Sequence, residues 1–297
     1  MSPLIISTAH SKHQAQHLAD EMGLPWAPLT VHRFPDGEFL VTIPEAARNI
    51  VIYASLDHPN EKLVYLLFAT QTLRDAGTKR IVLVAPYMCY MRQDHAFAPG
   101  QAVSQKIIGQ FLDPLFDRIV TVDPHLHRTA SMSSVFPNTP VTTLSAAGLI
   151  ADHLIQRHMS KNTLLLGPDE EAHQWVHTLA KTIGIEGMVA KKTRTGDRDV
   201  SVELEEPERL RDRPVIIIDD VISSGQTILQ CARAALAGHA ASVDVVAVHA
   251  LHGDDAASEF ARAGIASVVS TDSIPHPTNK IELAPLLADA LASEART

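Results

Sequence analysis

The run Val215 to Thr227, VIIIDDVISSGQT, decides the fold. Four apolar residues end in two adjacent acids, then a small polar turn and a helical pattern follow. A short strand that is nearly all apolar is covered on both faces, as in a parallel sheet flanked by helices. Such a strand delivers Asp219 and Asp220 to its carboxyl end, while Ser223, Ser224, Gly225, Gln226 and Thr227 form a tight turn that opens a helix. Backbone N–H groups and hydroxyls at that turn can hold a phosphate, helped by the positive helix terminus, and the two acids can accept hydrogen bonds from sugar hydroxyls. Ordinary capping explains the same pattern, since Ser and Thr are favoured N-caps.

Outward from this segment the same alternation recurs. Apolar runs predict strands at Leu4 to Ser7, Ile50 to Ala54, Arg80 to Ala85 and Arg118 to Val122, then at Thr163 to Leu166, Gly187 to Ala190, Val215 to Asp219, Val243 to His249 and Ser267 to Ser270. Helical periodicity fits Lys12 to Met22, Glu61 to Asp75, Val103 to Leu115, Ala146 to His158, Ala172 to Ile183 and Thr227 to Ala237. Alternating strands and helices of this kind build stacked βα units around a mostly parallel sheet. The two series predict two α/β halves, 1–145 and 146–297, although no residue-level repeat is visible. Thr30 to Glu45, Met88 to Ala102 and Lys191 to Glu206 are polar and lack a clear period, so they read as loops or small hairpins. Loops at strand ends are where α/β sheets keep their chemistry.

The 297 residues carry a formal charge of -9 with 45% hydrophobic composition, which describes a globular chain with room for one large or two smaller domains. The acidic balance argues against a general binder of nucleic acid or of anionic membranes. No apolar run approaches the ~20 residues of a membrane helix. The opening MSPLIISTAH lacks a cationic start and a long apolar stretch, so a cytoplasmic location is expected. Cys89 and Cys231 are too far apart in sequence for a CxxC motif and read as buried bystanders in a reducing compartment.

Four further segments stand out. FPDGE at Phe34 to Glu38 reads by itself as a solvated turn. Arg92 and Gln93 follow an apolar strand, where an Arg suits bidentate phosphate contact or a surface ion pair. Among sixteen histidines, His125 is set apart by its place two residues after Asp123 at the end of a strand. Lys191, Lys192 and Arg194 lie in a charged loop beside Gly196, and the plain reading of such a run is a solvated face.

Together these segments resemble the ribose-phosphate pyrophosphokinase (phosphoribosyl pyrophosphate synthetase) family, in the family's order over nearly the whole chain. VIIIDDVISSGQT resembles its ribose-phosphate signature, also found in type I phosphoribosyltransferases; FPDGE and RQD (Arg92 to Asp94) resemble its ATP-binding segments. VDPH (Val122 to His125) resembles its metal-site motif, Pro168 and Asp169 its second acidic site, KKTR (Lys191 to Arg194) its catalytic flexible loop, and TDSIP (Thr271 to Pro275) a late segment. The resemblance implies two similar phosphoribosyltransferase-like domains, each a mostly parallel sheet flanked by helices. It implies MgATP and ribose 5-phosphate as substrates, with Phe34, Asp36, Gly37, Glu38, Arg92 and Gln93 at ATP and Asp219, Asp220 and Ser223 to Thr227 at ribose 5-phosphate. It further implies His125 and Asp169 at Mg²⁺, Lys192 and Arg194 as catalytic cations, and a homo-oligomer in which the FPDGE loop reaches the neighbouring subunit's nucleotide. Unaided, His beside a carboxylate would point to a transition metal before Mg²⁺.

The chain also departs from the family's bacterial pattern. Ser223, Gly225 and Gln226 stand where an acid and a double Gly are usual, and Ser223 is similar to archaeal-type members. Gln226 is expected to narrow the phosphate pocket, Pro124 to alter the backbone beside His125, and Glu170 and Glu171 to add negative charge near phosphates. HAFAPGQAV (His95 to Val103) is unlike the Arg-rich regulatory segment of bacterial members and closer to the archaeal type. A catalytically weak regulatory homologue and a type I phosphoribosyltransferase are the competing readings.

Overall fold

A computed structural model describes residues 3–126, 128–194 and 200–296. The chain divides into two compact units: the first holds the chain up to Ser145, Ser273–Pro275 and the tail from Leu283, and the second holds Ala146–Asp272 and His276–Glu282. The sequence pattern predicts a single crossing at 145, whereas the structure returns its last helix to the first unit.

The first unit runs β1 (Leu4–Ser7), α1 (Lys12–Met22), β2 (Trp26–Pro28), a hairpin of β3 (Thr30–Arg33) and β4 (Phe39–Thr42), β5 (Asn49–Tyr53), α2 (Pro59–Asp75), β6 (Arg80–Val84), α3 (Ser104–Leu112), β7 (Arg118–Val122) and β8 (Val141–Leu144). Its sheet has the order β2-β1-β5-β6-β7-β8, with every pairing parallel. Successive strand residues face opposite sides, so Ile50 and Ile52 of β5 join Ile81 and Leu83 of β6, Leu66 of α2 and Phe136 in one buried cluster.

The second unit runs α4 (Ala147–Gln156), β9 (Leu164–Gly167), α5 (His173–Ile183), β10 (Glu186–Val189), a hairpin of β11 (Lys191–Arg194) and β12 (Val200–Glu203), β13 (Pro214–Ile222), α6 (Gln226–Ala237), β14 (Ser242–Ala250), α7 (Asp254–Arg262), β15 (Ile265–Thr271) and β16 (Asn279–Ile281). The sheet order is β10-β9-β13-β14-β15-β16, again all parallel. The final helix, α8 (Ala284–Leu291), belongs to the first unit.

The two sheets share one topology. In each, the second strand of the unit pairs outside the first, an antiparallel hairpin follows, and the next four strands extend the sheet on the other side. The FPDGE hairpin of the first unit and the KKTR hairpin of the second therefore occupy equivalent places in the chain order. Elements absent from the sequence reading, β2, β8, β16, α7 and α8, are short or polar. For example, β8 is VTTL, and Phe260 is the buried residue of α7.

Candidate active site

At the decisive segment the strand is longer than its apolar run predicts. β13 continues through both acids to Ile222, because Val221 and Ile222 keep pairing with His249 and Ala250 of β14. Asp219 and Asp220 thus sit on the strand itself, and the Asp220 N–H donates to Asp219 Oδ1 at 3.0 Å. Ser223, Ser224 and Gly225 make the turn, and α6 starts at Gln226, one residue before the predicted Thr227. Gly225 has φ +81°, and a Cβ there would lie 2.6 Å from Phe260 Cζ. Only a glycine meets both conditions without strain. The Gln226 side chain does not fill the turn: its amide donates to Glu259 Oε2 on α7 at 3.4 Å. The first N–H groups of α6 lack intrahelical acceptors, as at any helix start, and Gln226 N–H donates to Ser224 Oγ at 3.5 Å.

Three neighbouring parallel strands bring the second unit's expected residues to one edge. β10, β9 and β13 lie side by side, and their carboxyl ends lead to Lys192 and Arg194, to Asp169, and to Asp219 and Asp220 respectively. Gly167, at the end of β9, permits this closeness, since a Cβ there would stand 2.9 Å from Val189 Cγ1 and 3.0 Å from Ala172 Cβ. Asp169 and Asp219 also converge electrostatically: burial, and then these two carboxylates, raise the thiol pKa of buried Cys231 on α6. The charged loop predicted at Lys191 to Glu206 begins and ends as an antiparallel hairpin pairing Lys192 with Val202 and Arg194 with Val200. Gly196 lies outside the described residues.

In the first unit, FPDGE is the tip of the β3–β4 hairpin. Phe34 N–H donates to Glu38 O at 2.9 Å, Gly37 N–H to Phe34 O at 3.0 Å, and Glu38 N–H to Asp36 Oδ1 at 3.1 Å. Gly37 takes φ +92°, the left-handed position that closes a three-residue hairpin loop. Phe34 is left 40% exposed, with His32 edge-on at 4.8 Å. Arg92 is exposed. The Gln93 side-chain amide clamps the following loop: it donates to His95 O at 3.1 Å and to Ala102 O, and accepts from Ser104 N–H at 2.5 Å. Next to it, burial works to raise the Asp94 carboxyl, but contacts from His95 and Arg128 outweigh it and hold the pKa below the usual range. His125 and Asp123 have φ of +30° and +37°, and His125 N–H donates to Asp123 O at 2.9 Å around Pro124. Two left-handed non-glycine residues in one turn are costly and mark a conformation held by its surroundings.

One group of residues carries no sequence expectation. At the end of β5, the place equivalent to the acidic turn of β13, Lys62 Nζ donates to Ser55 O at 2.9 Å and to Asp57 Oδ1 at 2.7 Å, while His10 Nε2 lies 2.9 Å from Asp57 Oδ2. Burial works to raise Asp57, yet His10 and Lys62 together bring its pKa down to about 2. Pro59 at the start of α2 removes one N–H donor, and His58 occupies the left-handed cap that Gly225 occupies before α6. The first unit's turn is thus filled by its own cation, whereas the second unit's turn has none beside it in sequence. The acid–lysine spacing of DHPNEK was the available signal.

A duplicated parallel sheet, with an acidic turn opening a helix in its second copy, defines a protein of the phosphoribosyl-transfer fold class. Residues 141–284 match the phosphoribosyl transferase domain, and residues 4–115 match the N-terminal domain of ribose phosphate pyrophosphokinase. The chain belongs to the ribose-phosphate pyrophosphokinase family. It is 30% identical to the ribose-phosphate pyrophosphokinase of Methanopyrus kandleri, covering 97% of this chain and 98% of the relative. It is 32% identical to ribose-phosphate pyrophosphokinase 2 of Archaeoglobus fulgidus, covering 96% and 98%. The crystal structure of phosphoribosylpyrophosphate synthetase from Mycobacterium smegmatis superposes with a TM-score of 0.84 at 23% identity, over 99% of this chain and 98% of that one, which shows the shared fold.

Proposed function

We propose that this protein is a ribose-phosphate diphosphokinase. The 1-hydroxyl oxygen of ribose 5-phosphate attacks the β-phosphorus of MgATP, the bond from that phosphorus to the α,β-bridging oxygen breaks, and the hydroxyl proton is lost. The products are phosphoribosyl pyrophosphate and AMP. The observation that carries this reading is the meeting of the KKTR hairpin, Asp169 and the Asp219–Thr227 turn at the carboxyl ends of three adjacent strands, in a chain that matches the family along its length.

In this reading Asp219 and Asp220 accept from the sugar hydroxyls, and the turn from Ser223 to Thr227 receives the 5-phosphate. Lys192 and Arg194 stabilise charge on the transferring group, where such transfer depends mainly on positioning and electrostatics. Phe34, Asp36, Gly37, Glu38 and Arg92 receive ATP, and Gln93 serves by holding the loop behind Arg92. Asp169 and Asp219 offer the hard oxygen ligands that suit Mg²⁺, whereas the imidazole assigned to the metal, His125, is a softer donor. When bound, Mg²⁺ neutralises phosphate charge. The active assembly is a homo-oligomer, the setting is cytoplasmic, consistent with two buried free cysteines, and no nucleic acid takes part. Among the described residues no helix is long and apolar enough to cross a membrane.

The test is incubation with ribose 5-phosphate and MgATP. AMP and phosphoribosyl pyrophosphate should form in equal amounts. Release of ADP or free phosphate in their place would refute the assignment, and pyrophosphate release from phosphoribosyl pyrophosphate with an added base would favour a phosphoribosyltransferase.

A further inference from the structure

Beyond the residues that would touch substrate, α7 holds the ribose-5-phosphate turn from behind. We propose that Phe260 is a positioning residue for this turn, acting through Gly225; the inference rests on the function proposed above. Phe260 is the buried residue of α7, 2% exposed, on a helix otherwise rich in polar and small side chains. Its ring lies against Gly225: a Cβ built there would meet Phe260 Cζ at 2.6 Å, Cε1 at 2.9 Å and Ala256 Cβ at 3.3 Å. The preceding residue, Glu259, accepts from the Gln226 amide, so consecutive residues of α7 hold consecutive residues of the turn. On another side the ring packs on buried His252, with centroids 5.3 Å apart.

This arrangement fixes the backbone rather than supplying a ligand. A phosphate bound at a turn and helix start is held by several N–H groups at once, so its affinity depends on their mutual placement. A rigid ring pressed against a left-handed glycine limits how far the turn can move. A slack turn would weaken sugar-phosphate binding, while ATP segments carried by the other unit would keep their affinity.

The experiment is a reciprocal rescue read by ribose 5-phosphate affinity, measured by calorimetry and as KM, with KM for ATP as the internal control. Gly225→Ala puts a methyl group into the ring and should weaken ribose 5-phosphate by about tenfold or more, given that displacements near 1 Å cost on the order of a hundredfold in oriented sites. Phe260→Leu keeps an apolar side chain but lacks the two clashing ring atoms. Alone it should weaken ribose 5-phosphate by roughly threefold to tenfold and leave the KM for ATP within about twofold. Combined with Gly225→Ala it should recover the part of the lost affinity that the clash accounts for, while the strain of a non-glycine at φ +81° remains. Additive losses in the double variant, or equal changes for both substrates, would overturn the positioning role. If Gly225→Ala alone is insoluble, a soluble double variant that binds ribose 5-phosphate no better than about a hundredfold below wild type also overturns it, and one near wild type supports it. AMP formation by the wild type tests the functional reading separately. Wild type that binds ribose 5-phosphate without turnover would end that reading and leave the rescue measurable, whereas wild type with no affinity for it would overturn both.

Discussion

Glu294 accepts a paired set of hydrogen bonds from Arg80, from Nε at 2.7 Å and Nη2 at 2.8 Å, across 214 residues of chain. Arg118 Nη1 adds a third at 2.9 Å and its Nη2 reaches Ala290 O at 3.0 Å, so the tail after α8 is tied to the amino ends of β6 and β7. Arg80 first, with Arg118 behind it, holds the Glu294 carboxyl below its usual pKa against the effect of burial. Its contribution is therefore present at neutral pH and fades as pH falls through that depressed value.

Removing the carboxylate leaves two arginines facing a mostly buried gap. Glu294→Ala should cost about 2–4 kcal/mol, toward the lower end of what broken buried pairs cost because Arg80 is partly exposed. Chemical denaturation measures it, and the loss should fall on the first unit. A cost below about 0.5 kcal/mol would mean the tail is a surface attachment only.

His252 makes a pH contribution of the same sign by a different route. Burial, and then nearby His276, push its pKa down to about 4, and among the described residues neither ring nitrogen has a hydrogen-bond partner. Between that value and the ordinary value of about 6.5 the unfolded chain binds the extra proton, so stability rises with pH across the window and is lost as pH falls through it. Replacing this ring by an apolar one of similar shape removes the proton linkage. His252→Phe should flatten the second unit's stability between about pH 7 and about pH 5, a change on the order of 1–3 kcal/mol. Unchanged pH dependence in urea melts would assign the acid sensitivity elsewhere.

Lys192 stands on β11 opposite Val202, at the carboxyl edge that also carries Asp169. Lys192→Ala should lower kcat by at least ~100-fold, the scale of losing one transition-state donor, while nucleotide binding persists. A rise in KM at unchanged kcat would place Lys192 in ground-state binding and defeat the catalytic role.

The central strands were legible because Ile and Val runs such as VIII at 215–218 encode burial on both faces. Edge strands were not: β2 is WAP and β8 is VTTL, and pairing along one side asks little of their side chains. The strand through Asp219 and Asp220 extends past its predicted end because Val221 and Ile222, apolar and buried, keep pairing with β14 beyond the two acids. At the site, the acidic turn and the FPDGE hairpin were visible from local chemistry. Phe260 was invisible, since a lone aromatic in DDAASEFAR gives no sign that it meets Gly225, 35 residues earlier. The clamp formed by Gln93 was equally hidden, because a backbone partner such as Ala102 O leaves no mark in the sequence.

The FPDGE hairpin of one chain should complete the nucleotide site of a partner chain. Phe34 is exposed at the tip of a hairpin whose backbone bonds are internally satisfied, so its ring is offered outward by a stable scaffold. The proposed assembly has that tip serving the partner's nucleotide, and a two-fold contact would repeat the loan in both directions. Phe34→Ala with Glu38→Ala should inactivate one chain while sparing the backbone bonds of the turn, and Lys192→Ala should inactivate another. Asp36 is left in place because its carboxylate accepts the Glu38 N–H and shapes the loop. After subunit exchange, half of the dimers would be mixed and each would hold one site free of both lesions, so about a quarter of wild-type activity should return. If exchange is verified, by mass-tagged subunits for instance, and activity stays at the level of the separate variants, every site must draw its hairpin from its own chain, and the shared site would have to be abandoned.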